Sequence, residues 1–265
     1  MDIGVLVKAS LDVNMVKSTP EGLLAAEQIP LAISEYDRNA VAEAVRIRDS
    51  IGGRVIVFSV LTWGPIDRRE REFENVVREA LALGGDEAHV LLDNRVINGG
   101  IDATVAGLEG LIRRFKDVKL ILCGEASMDG MSSQIPIRLA SRLGYNVVTF
   151  ARGIEVDGDR VRVTRDLEDA IQVIETTLPI VISVTGEINQ PRLPTLLQIR
   201  RAFMKPYNKY SLDTLGVSLP GNLLPPFEYR IVTIARKNVL IEDSSPVEVA
   251  DKLIDRLIEE GVLKR

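Results

Sequence analysis

Val118-Lys-Leu-Ile-Leu-Cys-Gly-Glu-Ala-Ser-Met-Asp-Gly-Met-Ser-Ser-Gln-Ile-Pro-Ile-Arg-Leu-Ala-Ser-Arg-Leu-Gly144 decides the reading of this chain. Val118 to Cys123 is an apolar run of strand length, as in a strand buried on both faces. From Pro136 to Leu143 the apolar residues fall at helical spacing, and Gly144 stops the run. A Gly/Ser-rich loop therefore joins the carboxyl end of a strand to the amino end of a helix. Free backbone N–H groups and the positive end of the helix dipole make such a place an anion site. Ser127, Ser132 and Ser133 add hydroxyl donors, and Gly124 and Gly130 admit close approach of a ligand to the backbone. Two readings stand side by side. One is a cradle for a nucleotide phosphate; the other is an ordinary polar loop whose Ser132 or Ser133 caps the helix.

Working outward, the first half repeats this alternation. Strands are predicted at Ile3–Val7, Arg54–Val60 and Ala88–Leu92, and helices at 34–50, 68–83, 101–115 and 136–143. Paired glycines at Gly52-Gly53 and Gly84-Gly85 end two of the helices. Short apolar strands alternating with helices predict an α/β fold: an open, mostly parallel sheet with helices on both faces. Ligands in such sheets bind beyond the carboxyl ends of the strands, where Lys8, Ser59, Val60 and Gly124 stand.

From Val147 the pattern changes. Runs flanking Asp157-Gly158-Asp159 alternate with period two, a hairpin signal. Ala170–Glu175 and Ile180–Val184 read as further strands of an antiparallel edge or extension of the same sheet. Residues 189–210 are rich in proline and basic residues, with a short basic helix at 198–204, and residues 211–225 should run extended over the surface. A strand at 228–235 and an amphipathic helix at 246–261, capped by Ser244 or Ser245, close the chain. That tail has two options: folding back on its own sheet, or crossing to a partner.

Bulk properties exclude several classes. The 265 residues carry a net charge of −5, which argues against nonspecific nucleic-acid binding. No apolar run approaches the roughly 20 residues of a membrane span. The amino terminus reads as a strand rather than a signal peptide, and the lone Cys123 permits no intrachain disulfide, so a cytoplasmic location is expected. Cys123 belongs to the core by its position. His89 is the only histidine and lies within a strand, so neither a zinc site nor a Ser/His/Asp triad is supported. No catalytic side chain and no metal ligand is predicted. The shortage of acid–base equipment points to binding, or to chemistry carried by a cofactor.

Several stretches together resemble the beta subunit of electron transfer flavoproteins. Glu35-Tyr-Asp-Arg-Asn-Ala-Val-Ala-Glu-Ala-Val-Arg46 is similar to that family's first helix, and Arg78-Glu-Ala-Leu-Ala-Leu-Gly84 to the end of its second. The loop from Gly124 to Gln134 is similar to its adenylate loop. Val163, Arg165, Glu168, Asp169, Gln172, Ile174, Pro179, Val181, Ile182 and Ser183 follow its signature spacing, and Asn189-Gln-Pro-Arg-Leu-Pro-Thr-Leu196 resembles its docking segment. Departures are an apparent insertion at 61–63, Ser34-Glu35 where Asn-Pro is common, and Leu197 where Pro is common.

The resemblance implies an adenine-nucleotide α-hydrolase-like fold and a heterodimer with an alpha subunit that holds the electron-shuttling flavin. It implies an adenine nucleotide here, AMP or a second FAD; small Ser127 and Gly130 leave room for the diphosphate of FAD. By position the cofactor-binding residues are Leu6, Lys8, Ser34, Glu35, Tyr36, Asp37, Val60, Gly124, Ser127, Asp129, Gly130, Met131, Ser132, Ser133, Gln134 and Ile135. Asp129 repels a phosphate, so it is expected to orient loop N–H groups or accept from a ribose hydroxyl. Leu196 is the docking anchor, with Arg192, Arg200, Arg201 and Lys205 as a basic rim. Implied partners are the alpha subunit, acyl-CoA or other dehydrogenases and a quinone oxidoreductase, with membrane contact only through partners. Residues 1–206 are read as the nucleotide-binding domain with its docking segment at 189–206. Residues 207–265 are read as a C-terminal arm against the alpha subunit. The competing reading is a stand-alone adenine-nucleotide protein of the universal-stress or ATP-pyrophosphatase group. The pyrophosphatase Ser-Gly-Gly-x-Asp-Ser loop is missing where Lys8-Ala-Ser-Leu-Asp12 stands.

Overall fold

The computed structural model describes residues 1–97, 99–221, 229–232 and 236–264. In chain order its strands are β1 (Asp2–Leu6), β2 (Ala9–Leu11), β3 (Leu31–Ile33), β4 (Val55–Val60), β5 (Glu87–Leu91), β6 (Val118–Gly124), β7 (Asn146–Asp157), β8 (Arg160–Leu167), β9 (Ala170–Thr177), β10 (Ile180–Val184) and β11 (Tyr207–Tyr210). Its helices are α1 (Glu35–Ile51), α2 (Ile66–Leu83), α3 (Asn94–Ile97), α4 (Gly100–Ile112), α5 (Ile135–Leu143), α6 (Leu196–Ala202), α7 (Leu212–Leu215) and α8 (Pro246–Glu259).

Among the described residues, nine strands form one sheet in the order β11-β5-β4-β1-β6-β10-β7-β8-β9. β11, β5, β4, β1, β6, β10 and the start of β7 are parallel to their neighbours; β7–β8 and β8–β9 are antiparallel. The α/β class and the mostly parallel sheet are therefore as predicted. The apolar strands are covered on both faces. Phe73, Val77 and Leu81 of α2 and Ala40, Ala44 and Ile47 of α1 fill one layer. Leu108, Leu111 and Ile112 of α4 and Leu139 and Ala140 of α5 fill the other.

Several elements differ from the sequence reading. β10 is not part of an antiparallel extension. It lies inside the sheet, parallel to both β6 and β7, and all five of its residues are buried. An unbroken Ile-Val-Ile-Ser-Val run demands cover on both faces, which an edge does not provide. β7 is longer than expected: its first half pairs with β10, and its second half with β8 across the Asp157-Gly158-Asp159 turn. A short β2–β3 antiparallel pair was not anticipated.

The contacts divide the chain into compact units at 1–230 and 231–265, not at 206/207. Tyr207–Tyr210, expected in the arm, is an edge strand parallel to β5. Residues 212–215 are helical rather than extended, because Ser211 and Thr214 cap the turn reciprocally and Leu212 is buried. Residues 222–228 of the expected surface run lie outside the described residues. Of the strand expected at 228–235, residues 228 and 233–235 also lie outside them, and Arg230 forms an isolated bridge with Leu23.

The second unit, taken by itself, carries α8. The Ser245 hydroxyl accepts from the Glu248 N–H, and Pro246 takes a first-turn position where no N–H is needed. Asp243 pairs with Lys252. No residue of α8 is buried, so the apolar face with Leu253 and Ile254 is uncovered within this unit.

Candidate functional site

β4, β1 and β6 are adjacent parallel strands, so their carboxyl ends at Val60, Leu6 and Gly124 lie side by side. Lys8 follows the first of these in sequence, and the 124–135 loop follows the last. A hydrogen-bonded knot joins them. The Lys8 ammonium donates to Asp129 Oδ1 at 2.6 Å and to Ser127 Oγ at 3.3 Å. Asp129 Oδ2 accepts from the Leu11 N–H at 3.1 Å and from Trp63 Nε1 at 2.6 Å. The Asp129 side chain is only 3% exposed, against 30% for Lys8. Burial alone raises a carboxyl group, but the charge and hydrogen bond of Lys8, with the hydrogen bonds of Trp63 and Ser127, hold Asp129 below its ordinary value.

Both Asp129 oxygens accept from protein donors, and these bonds pin the loop to β2 and Trp63. Trp63 was missed as a site residue. It sits in the apparent insertion at 61–63, and its signal was that it is the chain's only tryptophan, in a loop after a strand's carboxyl end.

Asp37, in the first turn of α1, is a second buried carboxyl. Its Oδ2 accepts from the Lys8 N–H at 2.8 Å and its Oδ1 from the Gly124 N–H at 3.3 Å. Desolvation raises its pKa to about 7, against the lowering effect of those two N–H groups and of the Lys8 charge. Gly124 was expected to admit a ligand. Instead, a Cβ there would stand 2.6 Å from Tyr36 Cβ and 2.7 Å from Asp37 Oδ1. Its smallness serves the close packing of β6 on α1.

Ser34 precedes α1 with extended backbone, but its hydroxyl caps no N–H. Among the described residues, Ser34 Oγ is buried without a partner, as are Ser10 Oγ and Thr62 Oγ1. Such orphaned hydroxyls are costly unless something else pairs with them. Tyr36 donates to Glu125; burial raises both groups, and Glu187 adds repulsion to each. Glu35 is exposed.

Beyond the knot the loop turns outward. Met131 and Ser133 have φ of 44° and 53°, left-handed values that lie across the path of a regular chain. Met131 and Ser132 are exposed. Neither Ser132 nor Ser133 caps α5. The N-cap is Gln134, which makes no side-chain cap bond. Pro136 has no N–H and that of Arg138 goes to the Gln134 carbonyl, so the donors left without a side-chain cap are those of Ile135 and Ile137. At Gly130 a Cβ would approach Ser127 Oγ to 3.2 Å, leaving the position tight but not filled. Leu6, Val60 and Ile135 pack in the layer beneath.

The 189–206 segment is held at both ends. Asn39 Nδ2 donates to the Asn189 carbonyl at 2.8 Å and the Gly186 carbonyl at 3.2 Å, and Asn189 Nδ2 returns a bond to the Asn39 carbonyl at 3.1 Å. At the far end Arg78 donates to the carbonyls of Ala202 and Lys205. Lys205, expected in a basic rim, donates instead to the carbonyls of Leu81 and Gly85 at the end of α2. In between, Thr195 and Gln198 form a reciprocal cap that begins α6 at Leu196. Leu193 is 83%, Leu196 86% and Met204 77% exposed, and Arg192, Arg200 and Arg201 are exposed beside them. Exposed apolar side chains thus cluster on a segment pinned at both ends.

Among the described residues no cluster of His, Cys, Asp and Glu is arranged to hold a metal ion, and no helix is long and apolar enough to cross a membrane.

A family model described as the electron transfer flavoprotein domain matches residues 22–215. The electron transfer flavoprotein subunit beta of Thermoanaerobacterium thermosaccharolyticum is 36% identical over 77% of this chain and 76% of its own. Subunit CarD of the caffeyl-CoA reductase-Etf complex of Acetobacterium woodii is 32% identical over 99% of this chain and 100% of its own. The electron transfer flavoprotein subunit beta of Clostridium acetobutylicum is 31% identical over 98% and 99%. With the match spanning β3 through α7, this chain belongs to the electron transfer flavoprotein family, alongside its beta subunits.

Proposed function

We propose that this chain is the beta subunit of a heterodimer that carries electrons by flavin, and that it seats an adenine nucleotide at the carboxyl ends of β1, β4 and β6. The observation that carries the reading is the Lys8–Asp129–Trp63 knot, which fixes the 124–135 loop over those ends with the amino terminus of α5 uncapped. The residues fit such a group. Lys8 and the free N–H groups of α5 suit phosphate, and the orphaned hydroxyls of Ser10 and Ser34 offer bonds to a polar ligand. The charge of Asp129 is offset by the Lys8 ammonium at 2.6 Å, and the raised pKa of Asp37, about 7, leaves that carboxyl partly protonated near neutrality.

A flavin bound by the complex supplies the one- and two-electron chemistry. This chain's residues bind and orient. Lys8, whose charge Asp129 offsets, offers its remaining N–H to a phosphate oxygen, Asp129 keeps Lys8 and the Trp63 indole in place, and Asp37 holds the main chain at Lys8 and Gly124. Leu196 and its apolar neighbours between Asn189 and Pro206 dock redox partners, among them dehydrogenases, while Arg192, Arg200 and Arg201 steer acidic ones. The second unit, with the open face of α8, contacts the alpha subunit.

Between AMP and FAD, two observations favour FAD: the small side chains at Ser127 and Gly130, and the similarity to a subunit of the caffeyl-CoA reductase-Etf complex. A second flavin here makes electron bifurcation the matching activity. The test is the nucleotide content of the co-purified heterodimer. Two FAD per heterodimer support this reading; one FAD with one AMP keeps the nucleotide site and rejects bifurcation. Absence of any adenine nucleotide from this subunit, or its retention unchanged in Lys8→Ala, overturns the site.

A further inference from the structure

At the other end of α5 lies a cleft of about 370 Å³ between α4, α5 and the turn after α7. α5 has nine residues, about 13 Å of helix, so this cleft is separate from the loop at the α5 amino terminus. Glu109, Arg113, Arg114, Arg142, Val217 and Ser218 line it. Glu109 is shared: Arg113 Nε donates to it at 2.9 Å and Arg142 Nη1 at 3.2 Å. Arg113 also donates to the Arg142 carbonyl, which ties the ends of α4 and α5 together. One carboxylate and two helix ends thus occupy two guanidinium groups.

The third is different. Arg114 has no ion pair among the described residues. Its guanidinium stands 5.3 Å from the centre of the Tyr210 ring, which orients it without neutralising it. Three guanidinium groups around one carboxylate leave the cleft with excess positive charge on a chain whose net charge is −5. Guanidinium forks match the oxygens of phosphate better than an ammonium does. We infer that this cleft is a binding site for a phosphate-bearing anion, with Arg114 as its principal contact.

A built-in reporter stands next to it. His89 Nδ1 lies 3.0 Å from the Tyr210 hydroxyl, and the two rings stack at 5.8 Å. The groups that bear on His89 are Glu87 on its own strand, Arg54 before β4, Arg114 after α4, and Tyr210 on β11. Burial lowers its pKa first, Glu87 raises it, and Arg114 and Arg54 lower it further. An anion that offsets Arg114 therefore raises the His89 titration midpoint.

The experiment uses the full-length chain, in which His89 gives the only histidine NMR signal, with inorganic phosphate as probe at constant ionic strength. Saturable movement of the His89 signal with phosphate but not with chloride is expected, weakened about tenfold in Arg114→Ala. Phosphate binding by calorimetry in Lys8→Ala, against Lys8→Ala with Arg114→Ala, removes the strand-end site from the measurement. Binding that survives the first and is lost in the second supports the cleft. Binding that is lost in Lys8→Ala alone, or is indifferent to Arg114, overturns it. Arg114→Lys keeps the charge and the stacking stem, and is expected to leave the His89 midpoint unchanged while weakening phosphate several-fold; equal affinity there also overturns the role of the fork.

Discussion

The loop at 124–135 and the segment at 189–206 follow neighbouring parallel strands, β6 and β10, and are fixed by the same device. In each, buried or half-buried side chains tie a stretch that forms no sheet to neighbouring elements. The outcomes are opposite. In the first, Asp129 and Asp37 gather donors from Lys8, Leu11, Trp63 and Gly124, so the polar groups turn inward. In the second, Asn39 and Arg78 hold only the ends, so Leu193, Leu196 and Met204 turn outward. Pinning the middle of a loop draws it inward; pinning only its ends leaves a protrusion.

The comparison breaks most visibly through pH. Asp37 has a folded pKa of about 7, above its unfolded value of about 3.9. The native state then binds the extra proton, so this group's cost is absent below about pH 4, grows as pH rises, and is complete above about 7. Asp37→Asn is expected to lack this dependence. The wild-type-minus-variant stability, measured by urea unfolding from pH 4 to 8, should fall by roughly 4 kcal/mol. A flat difference shows that Asp37 is not desolvated.

The next effect is Asp129→Ala, which strands Lys8, the Leu11 N–H and the Trp63 indole at once. A loss of about 3 kcal/mol in urea unfolding is expected, with a shift in the emission of the sole tryptophan. A loss below about 1 kcal/mol would mean that the loop does not need its central knot.

Leu196→Ala sharpens the contrast from the other side. Stability should stay within about 0.5 kcal/mol, because the side chain touches little of its own protein. Partner affinity, followed by electron-transfer kinetics of the heterodimer, should fall by about 2 kcal/mol if Leu196 is an anchor. The smallest change is expected for Arg200→Ala: a few-fold slower association at low salt that disappears at high salt. An equal loss at every ionic strength would make Arg200 a packing contact instead.

Much of this was legible in the sequence. Periodicity placed the α/β alternation and the strand–loop–helix at 118–144, because both signals are local. The position of β10 was not legible. Ile180–Val184 reads as a buried strand, yet which neighbours it pairs with is decided by topology far along the chain. The edge strand at Tyr207–Tyr210 hid in a basic, proline-flanked stretch, since an edge needs little apolar alternation. Lys205 looked like surface charge, and only the fold brings it to the carbonyls of Leu81 and Gly85. The residues that hold the two loops, Asn39 and Asp129, carry no local mark of that task, because their partners are 66 to 150 positions away.

Asp37 and Asn39 lie two residues apart on α1, one bonded to the main chain at Lys8 and Gly124 and the other to Asn189. A single helical turn is thus the common mount for the inward-drawn loop and the protrusion. Their separation is set by the stiffness of that turn and not by the lengths of the loops, so either loop accepts insertions at its tip without altering the gauge between them. Conversely, a methyl group added at Gly124 presses on Tyr36 and Asp37, and so disturbs both outlying surfaces from a position that belongs to neither.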